Sequence, residues 1–177
     1  GGVGIPPMVY IADWIRQDRG NWKPFAILGS EIPFPFDLIP SQLATPWLDP
    51  DIDRSMPLLE SWGITTRLAT LSGFSGCYDG YVTDLANRWL QSLSAVELEK
   101  TEVFACGPTP MLRAVGEIAA EHGIPAELSM DEHMCCGVGV CLTCVIKVRA
   151  GDGWEYQWTC CEGPVFDSRK VFWEDEQ

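Results

Sequence analysis

Cys136, Cys141 and Cys144 stand in a C-x4-C-x2-C run, and two adjacent cysteines, Cys160 and Cys161, follow further on. This is the plant-type spacing for a [2Fe-2S] cluster, in which a tight loop presents thiolates on one side and a distant strand supplies the last ligand. Gly137 and Gly139 lie inside the first interval, where a loop wrapping a cluster needs backbone freedom and amide groups able to turn toward sulfur. A set of buried free cysteines gives no reason for such spacing. Tetrahedral zinc also uses C-x2-C pairs, but it usually joins two short knuckles, whereas here the fourth ligand stands alone. Placing Cys135 in the role of Cys136 stretches the first interval to five residues, so Cys136 is preferred. Spacing leaves Cys160 and Cys161 open as the fourth ligand.

Two glycine loops suggest a second kind of chemistry. Gly1, Gly2 and Gly4 precede an apolar helical pattern, where backbone N–H groups and the positive helix end can meet a pyrophosphate. Cys106, Gly107, Pro108 and Met111 belong to a loop that ends a later strand, and in an open parallel sheet such loops gather at the carboxyl edge, where ligands bind. Glu31 follows a strand by one short turn, where a carboxylate accepts from a ribose 2′-OH and repels a 2′-phosphate, favouring NAD over NADP. His122 and His133 read as surface or capping residues, and the eight tryptophans as core and interface mass. The sequence shows no Ser/His/Asp triad and no paired catalytic carboxylates, so no catalytic residue is assigned.

The elements that must position these loops alternate. Apolar spacing over Met8 to Ile15 predicts a helix ending near Gly20, and residues 25–29 and 64–70 read as strands. A glycine loop then leads into a helix over 82–93, followed by a strand over 101–106, a helix over 111–121 closed by Gly123, and a strand over 124–129. Between Glu31 and Pro57 lie six of the thirteen prolines, which predicts a long ordered loop or lid. Helices between short strands imply an α/β chain with a doubly wound parallel sheet. The glycine turn at the start normally follows a strand, so the first strand of that sheet is expected to be missing. After Met130 the composition changes to cysteine, glycine and short strands. The expected domains are a nucleotide-binding domain over 1–129 and a small β-rich domain over 130–177, whose 48 residues the cluster would hold folded.

Composition bounds the function. The chain has 177 residues, 46% of them hydrophobic, and twelve Lys+Arg against twenty-five Asp+Glu give a formal charge of −13. Such a surface repels phosphate backbones and anionic lipid heads, which argues against nucleic-acid and membrane partners. No apolar run reaches the ~18 residues of a membrane span, and residues 1–7 lack the regions of a signal peptide, so a cytoplasmic location is expected. Eight cysteines in a reducing compartment point to metal or redox chemistry rather than disulfides.

With these residues in view, the sequence resembles the electron-transfer subunit of NAD-dependent dihydroorotate dehydrogenase, in the ferredoxin reductase superfamily. The matching segments are GGVGIPPM from Gly1, GYVTDL from Gly80, FACGPTPMLRAV from Phe104, MCCGVGVCLTCV from Met134 and CCEGPVF from Cys160. The family pattern of one variable residue after the last ligand, then an acidic residue, Gly, Pro, Val and Phe, implies Cys160 as that ligand. The resemblance implies a ferredoxin-reductase-type fold that lacks its flavin-binding barrel and the first strand of the nucleotide domain. FAD binding would need that missing barrel, and the chain alone is expected to be poorly stable. It further implies that an FMN-containing catalytic partner, in a heterotetramer, oxidises dihydroorotate in pyrimidine biosynthesis. Electrons would then pass through the [2Fe-2S] cluster and FAD to NAD+, with nicotinamide near Cys106. Related flavin and iron-sulfur reductases, ferredoxin- or sulfide-linked, are the alternative, although they often carry Asp at the first ligand position and Gly-Pro-Glu-Phe after the last. A zinc-stabilised module without enzymatic activity is the other.

Overall fold

The computed structural model describes residues 2–18, 20 and 22–173. Its contacts divide the chain into two compact units, Gly1–Leu93 and Ser94–Gln177, each taken here by itself.

In the first unit a short 3-10 turn, Gly2–Gly4, runs directly into α1 (Ile5–Gln17). Pro6 and Pro7 sit in the first turn of α1, where a missing N–H costs nothing because that donor has no helical partner. Strand β1 (Phe25–Gly29) is followed by the two-residue strands β2 (Ile39–Pro40) and β3 (Arg54–Ser55), helix α2 (Pro57–Ser61), β4 (Thr65–Thr70), β5 (Tyr78–Asp79) and α3 (Val82–Ser92). β4 is the centre of a three-stranded sheet in the order β1-β4-β5, and both of its pairings are parallel. Five of its six residues are buried, as a strand covered on both faces requires. Ile5, Ala12, Leu28, Leu59, Ile64 and Leu68 form one core, and Leu48, Ala69 and Leu85 another. Gly29 ends β1 against Val82, and a Cβ there would collide with the Val82 side chain.

The proline-rich stretch is ordered by side chains from the sheet and α2. β2 and β3 form an antiparallel ribbon inside it. Glu60 accepts from Ser41 Oγ at 2.9 Å and from the Gln42 N–H at 2.7 Å. Arg67, buried on β4, donates from Nη2 to the Leu43 carbonyl at 2.7 Å and to Thr45 Oγ1 at 2.8 Å. Burial pushes the Glu60 carboxyl up, but the Gln42 and Ser41 hydrogen bonds and the nearby Arg67 charge outweigh it, and the net direction is down.

The second unit contains α4 (Ala95–Leu98), β6 (Val103–Cys106), α5 (Thr109–His122), β7 (Ala126–Ser129), the antiparallel hairpin of β8 (Val145–Ala150) and β9 (Gly153–Trp158), and β10 (Val165–Asp167). α5 closes at Gly123 in the left-handed region, φ 67°, as its glycine predicts. β6 and β7 pair in parallel, and β10 adds to the other edge of β7 in antiparallel register, giving the order β10-β7-β6. The expected parallel pairing is present, while the strands are shared between two three-stranded sheets of which β1 and β6 are edge strands.

The expected boundary at 129/130 is not where the contacts divide. Ala105, Leu112 and Leu128 bury a common core with Met130, Ile146, Val148, Phe166 and Val171, because β10 completes the β6-β7 sheet and β8 turns Ile146 and Val148 inward. No helix among the described residues is long and apolar enough to cross a membrane.

Candidate functional site

The cysteine loop runs between β7 and β8 without regular structure, and its shape comes from backbone conformations that L residues avoid. Gly137 has φ 69° and Gly139 φ 75°, while Leu142, between Cys141 and Cys144, has φ 54°. A left-handed leucine costs about 1–2 kcal/mol, and such a cost concentrates where backbone donors must be aimed at a ligand.

The donors are aimed at sulfur. The N–H groups of Val138 and Val140 approach Cys136 Sγ at 3.5 and 3.4 Å. Thr143 Oγ1 lies 3.1 Å from Cys141 Sγ as its donor. Cys144 is buried at the start of the hairpin, its carbonyl accepting from the Thr159 N–H at 2.9 Å. The Cys160 N–H faces the Cys144 sulfur, and the Gly139 N–H faces Cys160.

These bonds set the thiol chemistry. Amide donation from Val138 and then Val140 pulls the Cys136 thiol below its ordinary value. The Thr143 hydroxyl and N–H bring Cys141 down to about 6. The Cys160 N–H pulls Cys144 down, and Cys160, which keeps its proton as donor to Cys144, is pushed up to about 11. Hydrogen bonding in the loop therefore favours the thiolate form of Cys136, Cys141 and Cys144, which is also what sulfurs bound to iron require.

Cys136 and Cys141 are neighbours that shift each other's acidity, as are Cys144 and Cys160, and the Cys160 and Cys161 sulfurs lie 3.6 Å apart. Four cysteines, three of them in C-x4-C-x2-C spacing, match a binuclear cluster, where each iron takes two protein ligands. The donor set thus fits a [2Fe-2S] group by its chemistry, cysteine sulfurs met by N–H and hydroxyl donors.

A prediction follows for the cluster-free chain. Cys141 titrates as an acid whose folded pKa lies below its unfolded one, so the thiolate preference is fully present above the ordinary thiol pKa and is lost as pH falls through about 6. Iodoacetamide labelling of Cys141 should show that midpoint, and Thr143→Ala should move it upward. An unmoved midpoint would show that the hydroxyl is not the cause.

The nucleotide loops are placed less informatively. Gly1 lies outside the described residues, as does the acidic end at 174–176. Gly2, φ 55°, and buried Gly4 form the 3-10 turn before α1, whose N-terminus carries no side-chain cap. Glu31 is exposed just after β1, with its carbonyl accepting from Ser72 Oγ at 2.7 Å. Cys106 and Gly107 are buried at the carboxyl end of β6, Pro108 is exposed at the start of α5, and Met111 packs against the core of the second unit. The first loop belongs to the first unit and the Cys106 loop to the second. Buried Cys77 has its thiol pushed up by desolvation and plays no part in the site. Thr143 and Leu142 were not picked out by the sequence reading: Thr143, a hydroxyl between two ligands, left a readable signal, whereas the left-handed Leu142 left none.

Residues 131–172 match the family described as the iron-sulfur cluster binding domain of dihydroorotate dehydrogenase B. The dihydroorotate dehydrogenase B (NAD(+)) electron transfer subunit of Bacillus caldolyticus is 41% identical over 171 residues, which is 97% of this chain and 54% of the relative. The corresponding subunit of Caldanaerobacter subterraneus subsp. tengcongensis is 29% identical over 172 residues, 97% of this chain and 56% of the relative. The chain thus spans about half the length of the curated relatives it matches. A solved NADH-dependent reduced ferredoxin-NADP oxidoreductase shares the fold, with TM-score 0.67 and 23% identity over 98% of this chain and 52% of its own. Residues 131–172 thus match the model of the dihydroorotate dehydrogenase B iron-sulfur cluster binding domain, and over nearly its whole length the chain is similar to electron transfer subunits of that enzyme.

Proposed function

We propose that this chain is the nucleotide- and cluster-binding part of a dihydroorotate dehydrogenase electron-transfer subunit, with Cys136, Cys141, Cys144 and Cys160 as the ligands of a [2Fe-2S] cluster. The observation that carries the reading is the ligand loop itself, in which the N–H groups of Val138 and Val140 and the Thr143 hydroxyl are aimed at the sulfurs of Cys136 and Cys141. When bound, the cluster supplies single-electron exchange and FAD supplies the conversion to hydride chemistry. The chain's own part is to hold sulfur charge with the N–H groups of Val138, Val140 and Gly139, and to shape the loop through Gly137, Gly139 and Leu142.

In this reading residues 1–129 serve the nucleotide and 130–177 the cluster, a division supported by the start of the family match at residue 131. Gly1, Gly2 and Gly4 receive the NAD pyrophosphate, Glu31 the adenosine ribose, and Cys106, Gly107, Pro108 and Met111 border the nicotinamide. FAD is held by a part of the subunit outside this chain. The partner is an FMN-containing catalytic subunit that oxidises dihydroorotate, in a cytoplasmic heterotetramer that feeds electrons to NAD+ for pyrimidine synthesis. The acid–base chemistry on dihydroorotate belongs to that partner. Cys136 at the first ligand position and Val165 within Gly163-Pro164-Val165-Phe166 support this assignment over the ferredoxin- and sulfide-linked relatives.

The test is spectroscopic. Anaerobically purified chain should carry visible charge-transfer absorbance and about two irons, and give an EPR signal after reduction. A colourless, EPR-silent preparation with one bound zinc would overturn the proposal.

A further inference from the structure

We infer that Cys161 is a reserve ligand: when Cys160 is removed, the neighbouring sulfur takes the fourth ligand position. This rests on the cluster reading above, but on a geometry which that reading does not use. Successive residues of a strand point to opposite faces. Cys160 and Cys161 do not, because the chain has left β9 and turned. The N–H groups of Cys161, Glu162 and Gly163 all converge on the Trp158 carbonyl at 3.2, 2.8 and 3.3 Å. That tight turn brings the two sulfurs to 3.6 Å from each other, close enough to hydrogen-bond.

Both sulfurs also border the same residue of the ligand loop. The Gly139 N–H faces Cys160. A Cβ placed on Gly139 would lie 3.0 Å from Cys161 Sγ and 3.9 Å from its Cβ. Gly139 lies within the stretch between Cys136 and Cys141, so the Cys161 sulfur faces the ligand loop even though its residue is exposed. Because Cys161 is exposed, its side chain can change rotamer without disturbing a packed core. The exchange needs no oxidant or reductant: an iron–sulfur bond forms to Cys161 where the one to Cys160 is absent, and the Cys161 thiol proton passes to solvent.

The experiment compares reconstituted chains carrying Cys160→Ala, Cys161→Ala and both. Cys161→Ala should match the wild type in iron content and EPR. Cys160→Ala should retain more than about half of the iron, with shifted EPR g values, and the double variant should fall about tenfold or more. A Cys160→Ala chain that loses iron as completely as the double variant overturns the inference while leaving the four-ligand reading intact. Loss of the cluster in Cys161→Ala, with Cys160→Ala spectroscopically normal, would instead overturn the ligand assignment itself. If Cys160→Ala does not fold, Cys160→Ser decides by alkylation and mass spectrometry. Protection of Cys161 in the iron-loaded form supports the exchange; full labelling of Cys161 there refutes it.

Discussion

Cys144→Ala is expected to purify without colour, with iron reduced about tenfold or more and no EPR signal after reduction. Cys144 is the one ligand of the proposed set that is buried, and it stands where the loop becomes the β8-β9 hairpin. Its carbonyl accepts the Thr159 N–H at 2.9 Å and its sulfur faces the Cys160 N–H, so both of its polar groups meet the end of β9. Removal of the sulfur ends one of these contacts and deprives the proposed set of a ligand. Because ligand binding is also folding free energy in so small a segment, the melting temperature of the second unit should fall by about 10–20 °C relative to the iron-loaded parent. Cys141→Ser makes the comparison informative. Cys141 is exposed, so its replacement should remove iron to a similar extent while leaving the cluster-free chain as stable as the cluster-free parent. Wild-type iron and an unshifted EPR signal in Cys144→Ala would show that Cys144 is not a ligand.

Arg67→Ala is expected to destabilise the first unit by about 3 kcal/mol and to expose residues 41–45 to proteolysis. Arg67 is 3% exposed on the central strand β4. It donates to the Thr66 carbonyl at 2.6 Å, to the Leu43 carbonyl at 2.7 Å, and from Nε to Thr45 Oγ1 at 3.1 Å. Truncation leaves those acceptors unpaired beside the void where the side chain was. Arg67→Lys should recover little, since a single ammonium cannot span acceptors that a planar fork reaches together. Urea midpoints and the first cleavage sites in limited proteolysis check both variants. An unchanged midpoint with no new cleavage would show that Glu60 and the β2-β3 ribbon suffice to hold the segment.

The β2-β3 ribbon and its anchors mark where local sequence stops being informative. Prolines predicted irregular backbone between Glu31 and Pro57, and the backbone there is mostly irregular. The partners that order it, Glu60 and Arg67, come from elements up to 24 residues away in sequence. No period or turn signal encodes such a pairing.

The sequence by itself determined the alternation of strands and helices, the strand over Phe25–Gly29, the closure of α5 at Gly123 and the ligand spacing from Cys136 to Cys144. Each is a matter of a few neighbouring residues: hydrophobic period, the φ a glycine permits, and the reach of a short loop. Tertiary structure decided the rest. It placed β10 beside β7, so that the cysteine-bearing segment and residues 103–129 share one core. It also aimed the N–H groups of Val138 and Val140 at Cys136 and turned Cys161 toward the ligand loop beside Cys160. Those outcomes depend on complementary surfaces and hydrogen-bond donors meeting across long separations, and they exist only once the chain has folded.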